Sequence, residues 1–273
     1  MQNELEKLLE LPAIKINFKD DQVKFMLENI GDPNPQLRDD IIYTLFARGF
    51  SEDLFSDSQK KLIIDFYIKD RGLFKGIDGA KSDKIFVRSF SALLGTILLD
   101  SDSQNPIFTD NQRLIIFQWS FEYVTRETDF RGFIPAKGWA HGIAHGSDLL
   151  GAALGHKNFK SIGIKNIFNP IEAIISKLKK PFCDEEETRI AYAYLCAIRA
   201  DTISEEMFIK FIDMFDNKLW KQYESLVDSL ESYYQLVTWF RIMQNWYFFL
   251  VDYPKIKKNV ELKILDYYKK MGY

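Results

Sequence analysis

Cysteine is almost absent from this sequence. Only Cys183 and Cys196 occur among the 273 residues. Two thiols are too few for a disulfide framework in a chain of this length, and no Cys-x-x-Cys pair indicates a redox or zinc motif. We therefore expect two unreactive thiols in the core of a cytoplasmic protein.

Long hydrophobic runs are also lacking. The longest uninterrupted apolar run covers 190–198, far short of the roughly 20 residues that a membrane-spanning helix needs. Residues 1–10 are acidic and amphipathic, without the positively charged start and apolar run of a signal peptide. These features predict a cytoplasmic protein with no membrane partner.

An excess of basic residues is the third feature that is missing. The formal net charge is −3, and the sequence pI is about 5.8. Proteins that bind nucleic acids usually carry a strongly basic face, so the charge balance argues against a nucleic-acid partner. Hydrophobic residues make up 47% of the chain, which supplies ample material for an extended core.

The sequence is instead rich in helical periodicity, without convincing strand alternation or an Asn-Gly hairpin. Ser56-x-x-Gln59 and Thr109-x-x-Gln112 have the pattern of capping boxes, which begin helices. The pattern predicts helices near 20–30, 35–49, 56–70, 83–99, 109–126, 137–154, 169–180, 184–200, 204–226, 230–250 and 256–271. The predicted class is all-α.

A repeat is indicated by pairs of a small or apolar residue and a basic residue that recur at intervals of about fifty residues. The basic members are Arg38, Arg88, His141, Arg189 and Arg241. The segment 32–41 resembles the junction of a HEAT repeat. We therefore predict an α–α superhelix of about five HEAT-like helix pairs, forming a single domain over 1–273, with the five basic residues in a row along the concave side.

The segment with the most chemistry lies in the middle of the chain. Two of the three histidines, His141 and His145, are four residues apart, and Asp148 follows three residues later. On a regular helix over 137–154 these three side chains share one face. The opposite, core face is predicted to consist of Trp139, Ile143, Leu150 and Leu154.

Three glycines at four-residue spacing accompany this face: Gly138, Gly142 and Gly146. Each glycine destabilises a helix by about 1 kcal/mol relative to alanine. We therefore expect a neighbour that approaches the helix closely and offsets this cost. The neighbour is either the backbone of another helix or a bound ligand.

Three interpretations of the histidines stay open. His141 and His145 have the spacing at which two imidazoles share a metal, with Asp129, Glu127 or an acid on another helix as third ligand. Alternatively, Asp148 orients His145 as a general base, while His141 or Arg131 stabilises negative charge. In the third interpretation His141 replaces a repeat arginine and bonds Asp129, so its role is structural.

The loop before this segment carries charged residues beside aromatic ones. Arg131 can form a paired hydrogen bond with a carboxylate or a phosphate, and Asp129 and Lys137 lie in the same loop. Loops between packed helices often carry binding residues. A turn salt bridge between Asp129 and Arg131 is the alternative.

The stretch 131–150 resembles the signature of a bacterial family catalogued as domain of unknown function 2785, Lys-Gly-Trp-x-His-x-x-x-His-Gly-x-Asp-Leu. The matching positions are Lys137, Gly138, Trp139, His141, His145, Gly146, Asp148 and Leu149. The family has no established activity, so the resemblance indicates where a site lies and implies no chemistry.

Together these features favour a binding or scaffold protein that captures an acidic peptide, a protein segment or a small anion. The alternative is a hydrolase-type enzyme that uses the two histidines and the aspartate, with or without a divalent metal. The candidate site residues are His141, His145, Asp148, Arg131, Asp129, Lys137 and Trp139. The aromatic segment 233–250 is interpreted as a fully buried helix or, alternatively, as a dimer face.

Overall fold

The described part of the chain is mainly α-helical. The computed structural model describes residues 1–159, 166–225 and 229–273, and these residues form twelve α-helices and one two-stranded hairpin. The predicted all-α class is confirmed. Contacts between Cα atoms divide the chain into two compact units, Met1–Leu149 (unit 1) and Leu150–Tyr273 (unit 2). The superhelix, the HEAT-like repeat and the single domain stay predictions.

Unit 1 is built from six helices, a hairpin and the first half of a seventh helix. Its α-helices are α1 (Gln2–Leu9), α2 (Asp20–Glu28), α3 (Thr44–Ser51), α4 (Asp57–Asp70), α5 (Lys84–Gln104), α6 (Asp110–Arg126) and the start of α7 (Gly142–Gly155). A π-helix at Gln36–Tyr43 runs directly into α3. The hairpin strands are β1 (Phe133–Ile134) and β2 (Gly138–Trp139).

Capping residues begin α4 and α6 where the sequence predicts. The amide of Gln59 donates to the Ser56 hydroxyl over 3.3 Å, and the Ser56 amide donates to the Gln59 side chain over 3.1 Å. Thr109 and Gln112 make the same pair of bonds at 3.3 and 2.9 Å. Each box satisfies backbone N–H groups that the first helical turn leaves open.

The largest departures from the predicted helices are at α1 and at the start of α7. Helix α1 was not among the predicted helices, although its buried Leu5 anchors it in unit 1. The helix predicted over 137–154 begins only at Gly142, because 133–139 form the hairpin instead. Ala136, Gly138 and His141 all have positive φ angles there, which a right-handed helix cannot accommodate.

Unit 2 is a bundle around one central helix. It contains the end of α7 and the helices α8 (Asn169–Ser176), α9 (Glu186–Arg199), α10 (Glu205–Ser225), α11 (Leu230–Phe249) and α12 (Pro254–Lys270). Helix α11 packs against α9, α10 and α12. Trp239 and Trp246 on α11 are fully buried, whereas Phe248 is 72% exposed. The interpretation of this segment as a fully buried helix is therefore wrong, because one side of α11 is exposed.

The prediction of two core thiols is wrong for one of them. Cys183 is exposed in the loop before α9, and Cys196 is half-buried within that helix. The repeat arginines also differ from expectation, because Arg38 and Arg88 are buried inside unit 1 rather than lining a surface. Among the described residues, no helix combines the length and the hydrophobicity needed to span a bilayer.

Candidate functional site

The hairpin determines how Trp139 is presented. Phe133 pairs with Trp139, and Ile134 pairs with Gly138, in antiparallel register. Because side chains alternate along a strand, Trp139 points outward and is 42% exposed, while the next residue, Ala140, is fully buried. The prediction that Trp139 lies on a core face is therefore wrong, since it rested on a helix that starts three residues later.

Gly138 allows this hairpin to lie against the rest of unit 1. Its φ angle of +77° is in the region that favours glycine. A Cβ at this position would also lie 3.0 Å from the Cβ of Pro35 and 3.1 Å from Nη2 of Arg38. The close neighbour that the glycine pattern predicts is here the start of the π-helix.

Gly142 and Gly146 serve packing within unit 1. A Cβ at Gly142 would lie 2.7 Å from Cδ1 of Ile85, and one at Gly146 would lie 2.7 Å from Cε1 of Tyr123. The Tyr123 hydroxyl donates to the Gly142 carbonyl over 3.1 Å. Of the two alternatives for these glycines, the contacts favour close packing of neighbouring elements over room for a ligand.

His141 is the residue just before α7. Its φ angle is +46°, and its carbonyl accepts the backbone N–H of His145 over 2.9 Å. His141 therefore does not share a regular helical face with His145 and Asp148, which lie on α7. The turn nevertheless brings the two imidazoles together, with ring centroids 5.5 Å apart and planes at 76°. Both histidines and Asp148 are half-buried.

The two imidazoles are the centre of a continuous line of six rings, which we call the ring row. It consists of Phe133, Trp139, His141, His145, Phe90 and Tyr43 in order of contact. Successive ring centroids are 5.0, 4.4, 5.5, 5.4 and 6.3 Å apart. Phe133, Trp139 and Tyr43 are exposed, so the row presents both its ends to solvent.

Arg38 contacts one member of the ring row, Phe90, and joins the hairpin to the π-helix. Its guanidinium is 4.2 Å from the ring centroid of Phe86 and 4.7 Å from that of Phe90. It donates to the carbonyl of Lys137 over 2.8 Å and forms an ion pair with Asp39 at 2.7 Å. Burial lowers the pKa of Arg38 and raises the pKa of Asp39. The aromatic faces and the ion pair together stabilise this buried cation.

Glu127 anchors the loop that precedes the hairpin. Both its oxygens accept hydrogen bonds from Arg88, at 2.6 and 3.0 Å. One oxygen also accepts the backbone N–H groups of Thr128 and Asp129. Both carboxylate oxygens therefore serve the arginine and the loop, and this arrangement argues against Glu127 as the third metal ligand.

Both loop cations are paired with aspartates. Arg131 donates two hydrogen bonds to Asp129, at 2.8 and 2.6 Å. This pair is the turn salt bridge that the sequence offered as the alternative to a binding role. These hydrogen bonds raise the pKa of Arg131. Lys137 contacts both oxygens of Asp83 at 2.8 and 2.7 Å. Asp129 therefore has Arg131 as its partner, and this pairing weakens the interpretation in which it bonds His141.

Ser147 is excluded as a nucleophile by its position. Its side chain is buried and donates to the Ile143 carbonyl one turn earlier in α7, over 2.8 Å. The sequence gave no signal for Tyr43 and Phe90, which join the site from distant elements and look like ordinary core aromatics.

A comparison with known families gives one match. The family described as Protein of unknown function (DUF2785) matches residues 73–248. The chain belongs to this family. The DUF2785 match includes the hairpin, both histidines and Phe90 of the ring row, whereas Tyr43 and Arg38 precede it. No curated protein and no solved structure matches the chain.

The left-handed φ angle of His141 in this DUF2785 protein determines which substitutions the position tolerates. Asparagine adopts left-handed φ angles readily, whereas a β-branched residue does not. We expect His141→Asn to leave the free energy of unfolding nearly unchanged and His141→Val to lower it by about 1–2 kcal/mol. Urea denaturation of both variants measures the difference, and equal stability of the two would contradict the strained conformation.

Proposed function

We propose that this protein is a binding protein and that unit 1 holds a segment of a partner protein on the ring row. The observation that carries the proposal is the row itself, with exposed Phe133 and Trp139 in contact at one end. Soluble proteins rarely expose neighbouring large aromatic side chains without a use for them. Aromatic residues are also the side chains that dominate the energetics of binding interfaces.

The charges around the row favour a protein segment over a small anion. Arg131 and Lys137 are the cations nearest the hairpin in sequence, and each is paired with an aspartate. Arg38 is buried and paired with Asp39. An anion would therefore have to compete with a carboxylate that is already in place.

The row offers hydrogen-bonding groups as well as apolar faces. An indole N–H donates, and a neutral imidazole both donates and accepts. An extended peptide has carbonyl oxygens at regular intervals, and proline-rich segments dock on aromatic-lined surfaces in this way. The proposed partner is therefore an extended segment with apolar or proline side chains, which pack on Phe133 and Trp139 while its carbonyls meet Trp139 and the histidines.

A library of random peptides displayed on phage tests the proposal. We expect selection on the full chain to enrich related peptides, and Trp139→Ala to weaken their binding by at least about 30-fold, since buried aromatic anchors contribute about 2 kcal/mol or more. Phe133→Ala should weaken it as well. Phe248→Ala is the matched control, because Phe248 is an exposed aromatic residue in unit 2.

Two outcomes would overturn the proposal. One is a selection that enriches no peptide family on the wild-type protein. The other is a set of enriched peptides that bind Trp139→Ala as tightly as wild type. Circular dichroism of each variant confirms that the fold is retained.

A further inference from the structure

We propose that His141 and His145 together bind one divalent transition-metal ion. The first observation is the distance between the rings, whose centroids are 5.5 Å apart. With bonds of about 2.1 Å from each imidazole nitrogen to a tetrahedral zinc ion, the centroids of two coordinating rings lie roughly 5–6 Å apart. The 5.5 Å separation in unit 1 is therefore compatible with one shared ion.

The second observation is that both rings are held in place by other rings. The Trp139 ring lies 4.4 Å from that of His141, and the Phe90 ring lies 5.4 Å from that of His145. The hydrogen bond from the His145 amide to the His141 carbonyl joins the two backbones. Because the packing limits the motion of both side chains, an ion loses little binding free energy to ordering them.

The third observation is the backbone at His141. Its φ angle of +46° is uncommon for a residue other than glycine, and such strain clusters at sites where a side chain must be held in a particular place. In a regular helix, two histidines four residues apart would project from the same face. Here the left-handed turn brings the His141 ring to the start of α7, between Trp139 and His145.

The chemistry of the donors favours zinc, nickel or copper. Neutral imidazole is a good ligand for these ions and a poor one for magnesium or calcium. Two imidazoles supply two coordination positions and leave the others to water or further donors, as in an open site rather than a closed structural one. Asp148 follows His145 by three residues on α7, the spacing at which a carboxylate orients a ligating imidazole.

This metal site does not depend on the proposed peptide binding. The ion requires both imidazoles, whereas the apolar side chains of the peptide pack on the exposed rings of Phe133 and Trp139. Replacing Trp139 by phenylalanine keeps a ring beside His141 and removes the indole. The two proposals therefore fail under different variants.

Titration of the untagged, metal-free full chain with Zn²⁺ by calorimetry tests the site. We expect one saturable Zn²⁺ per chain. His141→Asn and His145→Asn should each weaken Zn²⁺ binding by at least about tenfold, and the double variant should abolish it. The third histidine supplies the matched control, and His156→Asn should leave the Zn²⁺ affinity unchanged.

Fluorescence locates the ion independently. Ni²⁺ or Cu²⁺ bound at His141 should quench Trp139, one of five tryptophans in the sequence. Trp139→Phe should remove that quenching while Zn²⁺ binding persists. The proposal is overturned if the wild-type protein shows no saturable binding, or if the double histidine variant binds Zn²⁺ as tightly as wild type. Circular dichroism checks that each variant is folded.

Discussion

Replacing Glu127 by alanine is expected to lower the free energy of unfolding by about 3–5 kcal/mol. Arg88 and Glu127 are both buried, and the carboxylate accepts two hydrogen bonds from the guanidinium. Removing the carboxylate leaves a buried cation without its counterion. It also leaves the amides of Thr128 and Asp129 without their acceptor, and these residues begin the loop that leads to the hairpin.

Urea denaturation followed by circular dichroism measures this loss, and hydrogen exchange assigns it to unit 1. Glu122→Ala is the control, because the pair of Glu122 and Arg126 on the same helix is partly exposed and should contribute less than about 1 kcal/mol. The double variant Arg88→Met, Glu127→Leu should recover the part of the stability that the unpaired cation costs, since apolar replacement removes both buried charges. If the double variant is as unstable as Glu127→Ala, the explanation by an unpaired cation is wrong.

Replacing Trp239 by alanine is the second large effect, with an expected loss of about 3–5 kcal/mol. Trp239 is fully buried at the centre of α11, where its ring contacts those of Phe215 and Trp246. Its indole N–H donates to Asp216 over 3.1 Å. Burial raises the pKa of Asp216, so the loss of this donor should raise that pKa further.

Hydrogen exchange of unit 2 measures this effect without relying on the fluorescence of the residue that is removed. Trp239→Phe should lose less than Trp239→Ala, because it keeps most of the apolar volume. Phe248→Ala on the same helix should change stability by less than about 0.5 kcal/mol, since that side chain is exposed. Equal losses for Trp239→Ala and Phe248→Ala would show that burial does not determine the stability of α11.

Local patterns in the sequence predicted much of the helical framework. The capping boxes at Ser56 and Thr109 begin helices because their hydrogen bonds join residues three positions apart. Such bonds depend on the local chain alone. The same reasoning failed at residues 137–141, where helical spacing continued through a segment that forms a hairpin. Gly138 and His141 adopt left-handed φ angles there, and the spacing of apolar residues gives no information about backbone angles.

The candidate site shows the same division between local and distant information. The sequence located the two histidines and the loop charges, but it grouped His141 with His145 through a helix that His141 does not enter. Phe90 and Tyr43 could not be identified, because their contacts with the histidines and with each other join separate elements. Arg38 was expected along the concave side, yet it is buried against Phe86 and Phe90 and bonds a carbonyl 99 residues away.

By itself, therefore, the sequence determined the all-α class, the starts of several helices and the segment in which the candidate site lies. These features follow from residue spacing and capping, which act within a few positions of one another. Only the tertiary structure decided that Trp139 is exposed, that the loop cations have acid partners and that six rings form one row. Those outcomes depend on left-handed backbone angles and on contacts between residues far apart in the chain.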